Sequence, residues 1–131
     1  MAGELILIVE DNEKNRKLVR DVLQFQGYRT VETETGEEAI ELARTQQPAL
    51  VLMDIQLPGI DGITAFKRLR EHPVTRAIPV MAVTASAMIH DRRKILEAGF
   101  DAYHTKPIKV REFLAAVREV LDRRAPGGSE A

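Results

Sequence analysis

Along the chain, short apolar runs alternate with longer stretches in which apolar residues recur three and four positions apart. The runs fall at 5–9, 29–31, 49–53, 78–83 and 102–105. The first, third and fourth are continuously apolar rather than alternating, which is what strands covered on both faces require. Five helices are predicted between and after them. Leu18, Val19, Val22, Leu23 and Phe25 supply one apolar face, and Gly27 stops that helix. Thr35, with Glu38 three residues on, reads as the capping box of the second. The third starts after Asp61, its N-cap, and buries Phe66 and Leu69. The fourth, at 87–98, is weakly amphipathic and ends at Gly99. The fifth carries the stripe Val110, Phe113, Leu114, Val117, Val120 and Leu121. Strands alternating with helices predict right-handed crossovers, and so an α/β fold with a parallel sheet covered on both faces.

In such a sheet, ligands bind beyond the carboxyl ends of the strands. Those exits are chemically uneven: Glu10 and Asp11 follow the first strand, Asp54 the third, Thr84 the fourth and Lys106 the fifth. Three crowded carboxylates raise one another's pKa unless a cation sits among them. A hard divalent ion resolves the repulsion. Magnesium, with manganese as an alternative, accepts a few carboxylates, a phosphate oxygen and water. Asp54 can then be both ligand and nucleophile, since a carboxylate can attack phosphorus and hold an acyl phosphate. Lys106 supplies positive charge and Thr84 a hydroxyl to the phosphoryl oxygens. Taken singly, each residue has a plainer explanation: helix N-terminal charge for Glu10 and Asp11, a strand threonine, a surface lysine. Placement at four successive exits is what those explanations do not require.

Composition narrows the field. At 131 residues the chain holds one domain, expected at 1–124 with 125–131 as a flexible tail. With 44% hydrophobic and 30% charged residues and a net charge of -1, there is no electrostatic case for direct nucleic-acid or membrane binding. The absence of cysteine excludes disulfides, thiolate nucleophiles and cysteine-based zinc sites. The apolar start is too short for a signal peptide or membrane span, so a cytoplasmic protein is expected. His72, His90 and His104 have no spaced partners and are expected to be structural or surface residues.

Four segments carry a family resemblance: Leu5-Ile-Leu-Ile-Val-Glu-Asp-Asn12, Val51-Leu-Met-Asp-Ile-Gln-Leu-Pro-Gly-Ile-Asp-Gly62, Ile78-Pro-Val-Met-Ala-Val-Thr-Ala85 and Asp101-Ala-Tyr-His-Thr-Lys-Pro107. Over residues 4–123 the chain resembles the receiver domain of two-component response regulators. The run at 9–15 is most similar to hybrid-kinase receivers and to stand-alone regulators of polar differentiation. The resemblance implies a doubly wound, flavodoxin-like (βα)5 fold with strand order 2-1-3-4-5. It implies that Asp54 is the phosphoacceptor and Asp11 a direct metal ligand. Glu10, where many relatives have aspartate, reaches the metal directly or through water, and the backbone carbonyl of Gln56 faces it. Thr84 and Tyr103 would form the switch: phosphate draws Thr84 inward, Tyr103 follows, and the surface of the fourth helix, fifth strand and fifth helix changes. Gln56 and Ser86 would tune hydrolysis, Ala85 would leave a path to the site, and Lys106-Pro107 is a candidate cis peptide.

The function implied is a magnesium-dependent switch phosphorylated by a histidine kinase or histidine phosphotransfer protein. It would catalyse only its own phosphorylation and dephosphorylation. Output would pass through protein contacts from a monomer, with phosphorylation-dependent dimerisation open. Only a short polar tail follows Arg124, which favours a stand-alone regulator over a receiver excised from a hybrid kinase or multidomain regulator, or a phosphate sink in a relay. Other classes fit less well. A flavodoxin needs a hydroxyl- and glycine-rich phosphate loop where this chain has Glu10 and Asp11. A haloacid-dehalogenase-type phosphatase needs a second aspartate where this chain has Gln56. A non-phosphorylated scaffold does not need the complete set of groups.

Overall fold

The computed structural model describes residues 3–85 and 89–124, the side chains of 89–91 and 124 excepted. Its elements run β1 Leu5–Val9, α1 Glu13–Phe25, β2 Arg29–Thr33, α2 Gly36–Gln46, β3 Leu50–Asp54, α3 Gly62–Glu71, β4 Val80–Thr84, α4 Ile89–Ala98, β5 Ala102–Thr105 and α5 Val110–Arg124. The five strands form one sheet in the order β2-β1-β3-β4-β5, with every pairing parallel. This is the doubly wound, flavodoxin-like order expected above.

Alternate strand residues point to opposite faces, and each face has its own core. Leu7, Val9, Val51, Met53, Val80 and Ala82 meet α2, α3 and α4 through Ala39, Phe66, Leu69 and Ile95. Ile6, Ile8, Leu50, Leu52, Met81 and Val83 meet α1 and α5 through Val19, Leu23, Phe113 and Val117. Both sets are buried, which explains why these strands carry no polar alternation. Phe66 and Phe100 stack with ring centroids 4.1 Å apart.

Several expected details shift. β2 runs two residues beyond the apolar run, because Glu32 and Thr33 pair with Ile8 and Val9 on an edge strand that tolerates polar side chains. β4 starts at Val80 rather than residue 78, after Pro79, which has no N–H to give to a ladder. β3 begins one residue later than expected and includes Asp54. The predicted face of α1 also narrows: Val19 and Leu23 are buried, while Leu18 is 40% and Phe25 90% exposed. At about 100° per residue, Val19 and Leu23 fall close to one line facing the sheet. Leu18 and Phe25 lie a quarter turn or more to one side. Val110, at the start of α5, is likewise exposed.

The helix starts are capped as the sequence suggests. Thr35 accepts from the Glu38 N–H at 3.1 Å, and Asp61 accepts from the Thr64 N–H at 2.8 Å. The return arm of the Thr35 box goes elsewhere: Glu38 accepts the hydroxyl of buried Thr33. Gly99, with φ 104°, follows α4 in the left-handed region that glycine alone enters cheaply. Residues 125–131, assigned to a flexible tail, and residues 87 and 88, assigned to the fourth helix, lie outside the described residues.

Candidate functional site

Three strand exits meet at one ammonium. At the end of β1, Glu10 is 4% exposed. Its N–H donates to the Thr33 carbonyl at 3.0 Å, which fixes the exit of β1 to that of β2. Its carboxylate accepts from the Asn12 N–H at 3.0 Å and pairs with Lys106 Nζ at 2.7 Å. At the end of β3, Asp54 is equally buried. Its Oδ1 accepts from the Gln56 N–H at 3.1 Å and its Oδ2 from Lys106 Nζ at 3.2 Å. Lys106 is aimed by its own backbone, whose N–H donates to the Thr84 carbonyl at 2.8 Å, and the Lys106–Pro107 peptide that follows is cis. Asp11 is exposed. One carboxylate oxygen each from Glu10, Asp11 and Asp54 lies within 4.8 Å of the others.

One lysine does not balance three carboxylates. Burial, and then the charge of Glu10, push the Asp54 carboxyl up to about 6, although Lys106 pulls the other way. Lys106 itself is lowered most by burial, yet its bond to Glu10 and the charges of Asp54 and Glu10 raise it overall, so it stays protonated. An oxygen-only donor set with excess negative charge is what magnesium selects. The residues present therefore fit that ion.

This raised carboxyl sets a pH dependence in the metal-free protein. Between the unfolded value near 3.8 and the folded value near 6 the native state binds more protons, so stability falls as pH rises through that window. The penalty is complete above about 6 and absent below about 4. A full shift of this size is worth at most about 3 kcal/mol, and about 1 to 2 kcal/mol with water screening the cleft mouth. Urea unfolding without metal should show Asp54→Asn more stable than the parent by that amount at pH 7, with the difference gone near pH 4.

Thr84 is buried, and it lines a cleft of about 150 Å³ with Gln56, Lys94 and Ile95. Tyr103 sits on β5 across from Ala82, one pleat from the Thr84–Thr105 pair. It packs, partly buried, on the α2–α3–α4 side, and the Arg92 guanidinium lies 5.7 Å from its ring centroid. Tyr103 does not join the carboxylate cluster. His104 points to the other face, edge-on to Phe113 at 5.7 Å, and burial chiefly lowers its pKa. That is a structural setting. Ser86 lies outside the described residues, as does the side chain of His90.

Gly62 matters more than its sequence setting shows. A Cβ there would stand 2.2 Å from the Asp54 carbonyl oxygen and 2.8 Å from Ile55 Cα, while its N–H donates to the Ile55 carbonyl at 2.9 Å. The first turn of α3 is thus pressed against the peptide that carries Asp54. On the sequence alone Gly62 is only the residue that follows the Asp61 N-cap. The available signal is a glycine placed just inside a helix start rather than just past its end.

The sequence profile described as "Response regulator receiver domain" matches residues 6–118. The chain belongs to the response regulator receiver domain family. A polar-differentiation response regulator, DivK, of Brucella ovis is 47% identical over 116 residues, which cover 88% of this chain and 94% of that protein. DivK of Brucella anthropi matches to the same extent. Among solved structures, the receiver domain of a sensor histidine kinase from Pseudomonas aeruginosa PAO1 superposes with a TM-score of 0.85 at 34% identity, covering 91% of this chain and 98% of that one. That structure is described as having a magnesium ion coordinated in its active site cleft. A CheY-like receiver domain protein from Methanospirillum hungatei JF-1 gives 0.87 at 28% identity over 96% and 99% of the two chains. The chain is a receiver domain of two-component signalling, a family of phosphorylation-activated switches. Among its described residues no helix is long and apolar enough to cross a membrane.

Proposed function

We propose that this receiver accepts a phosphoryl group on Asp54 from the phosphohistidine of a histidine kinase or histidine phosphotransfer protein. The observation that carries the reading is the convergence of Glu10, Asp11 and Asp54 on one point, with Lys106 bridging two of them. An Asp54 carboxylate oxygen attacks phosphorus as the bond to the donor nitrogen breaks. Lys106, already 3.2 Å from Asp54 and 2.7 Å from Glu10, turns its third proton to the phosphoryl oxygens. The Thr84 hydroxyl donates to the same oxygens. Asp11, Asp54 and the Gln56 carbonyl would hold magnesium, with manganese able to replace it, and Glu10 would contribute directly or through water. When bound, the ion neutralises the charge that develops on the transferring group.

Phosphorylation then biases a two-state equilibrium in which Thr84 and Tyr103 move together and the α4–β5–α5 surface changes for a downstream protein. The site's only catalysis is its own phosphorylation and dephosphorylation. Gln56 faces the cleft beside Thr84, which supports a part in tuning hydrolysis; Ser86 is proposed for the same part from its sequence position alone. The folded unit is taken as 1–124, acting in the cytoplasm as a monomer that phosphorylation can pair. DivK, nearly all of whose length is matched here, is itself receiver-sized, which supports output through protein contacts.

The test is incubation with a small phosphodonor, with magnesium and with chelator, followed by intact mass. One phosphoryl adduct in magnesium and none in chelator is expected. No adduct in magnesium, or equal uptake without metal, removes the proposal.

A further inference from the structure

Arg16, on the first turns of α1, aims one guanidinium at three oxygens. Nη1 donates to the Glu10 carbonyl at 2.9 Å, Nε pairs with Glu32 at 3.2 Å and Nη2 with Glu34 at 3.5 Å. The other oxygen of Glu32 is held by Arg20 at 3.0 Å. The Arg16 side chain is only 15% exposed, so its charge is met by these two carboxylates more than by water. The Glu10 N–H is also fixed to this end of β2, through the Thr33 carbonyl. Both backbone polar groups of Glu10 are therefore tied to residues 32–34, one directly and one through Arg16. Because the peptide unit is planar, holding the Glu10 carbonyl fixes the plane of the Glu10–Asp11 peptide and the direction in which Asp11 leaves it.

We propose that Arg16 is a positioning residue for the acidic cluster: it clamps the Glu10 carbonyl to Glu32 and Glu34 and so sets where Glu10 and Asp11 present their carboxylates to a divalent cation. The assignment rests on reading that cluster as a magnesium site. It makes a prediction of opposite sign to simple electrostatics. A guanidinium near a cation site repels the cation, so if charge were its only effect, removing it would tighten magnesium binding. If it positions the ligands, removal loosens binding, since groups behind metal ligands typically change affinity by tenfold or more. A lysine keeps the charge but cannot span three oxygens, so it does not replace the fork.

The experiment is a magnesium chloride titration of the full chain followed by backbone amide NMR shifts, on the parent, Arg16→Met and Arg16→Lys, with urea unfolding alongside. Both variants are expected to bind magnesium on the order of tenfold more weakly than the parent. Their phosphoryl uptake from a small donor should fall at low magnesium and recover to near the parental rate at saturation. Magnesium binding by Arg16→Met that equals or exceeds the parent's, or by Arg16→Lys that matches it, overturns the proposal, whatever the change in stability. If Arg16→Met does not fold, Arg16→Lys decides alone. A parent that binds magnesium but takes up no phosphoryl group loses the functional reading only, and the titration still decides the role of Arg16. A parent that binds no magnesium loses both.

Discussion

Lys106→Met is expected to take up phosphoryl groups ~10²- to 10³-fold more slowly than the parent at saturating magnesium. Two effects act together. The ammonium that would meet developing charge on the phosphoryl oxygens is gone, and in these water-poor sites such a donor is worth several kcal/mol. Asp54 also loses the partner that opposes burial and the charge of Glu10, so its carboxyl climbs beyond the parental value of about 6 and less of it is ionised. Stability should move as well. Glu10 and Asp54 are each 4% exposed and share this lysine at 2.7 and 3.2 Å, and stranding buried acceptors costs about 1 to 3 kcal/mol. Magnesium should restore part of that loss by replacing the missing charge. Lys106→Arg should not rescue uptake, because the planar guanidinium cannot point one compact charge between two carboxylates. Initial rates by intact mass and urea midpoints with and without magnesium check these four outcomes; a parental rate in Lys106→Met would contradict the part given to its ammonium in uptake.

Gly62→Ala is expected to destabilise the protein by about 3 kcal/mol or more, and helix propensity alone predicts the opposite sign. An exposed glycine-to-alanine change within a helix gains about 1 kcal/mol. Here the added methyl would stand 2.2 Å from the Asp54 carbonyl oxygen and 2.8 Å from Ile55 Cα. Both are backbone atoms, so no side-chain rotation relieves the clash. Either α3 loses its first turn, with the Gly62–Ile55 hydrogen bond, or the peptide of Asp54 moves. Displacement of the nucleophile by about 1 Å can cost ~10²-fold in rate. Gly36→Ala is the control, since its nearest contacts are side-chain atoms, Ile60 Cγ1 at 2.9 Å and Ala65 Cβ at 3.1 Å. It should cost about 1 kcal/mol and leave uptake unchanged. Urea unfolding and uptake rates on both variants check this; a stabilised Gly62→Ala would refute the close packing inferred for that turn.

The sequence makes the interior of the sheet legible because its strands are covered twice. Ile6, Leu7, Ile8 and Val9 must all be apolar when alternate residues enter two separate cores. The same logic locates the site, since the polar residues that end such strands stand out against apolar runs. Edges are less legible: Glu32 and Thr33 look like loop, yet pair along β2 because an edge strand needs only one buried face. Phe25 has the right spacing for a core face and is 90% exposed, because periodicity fixes a helix's apolar side only to within a quarter turn. Gly62 and Arg16 are illegible for another reason. What matters at Gly62 is a backbone approach from β3, and at Arg16 a carbonyl on β1 with carboxylates at the end of β2. Tertiary proximity of that kind leaves no local pattern at Arg16, and at Gly62 only a glycine just inside a helix start.

The central claim is that one carboxylate among three carries the phosphoryl group. Its most direct measurement is site mapping after incubation with a small phosphodonor and magnesium, comparing the parent with Asp54→Asn by intact mass. A single adduct on the parent, located at Asp54 by fragmentation and absent from Asp54→Asn, is the predicted result. An adduct that persists in Asp54→Asn, or maps to Glu10 or Asp11, contradicts the account.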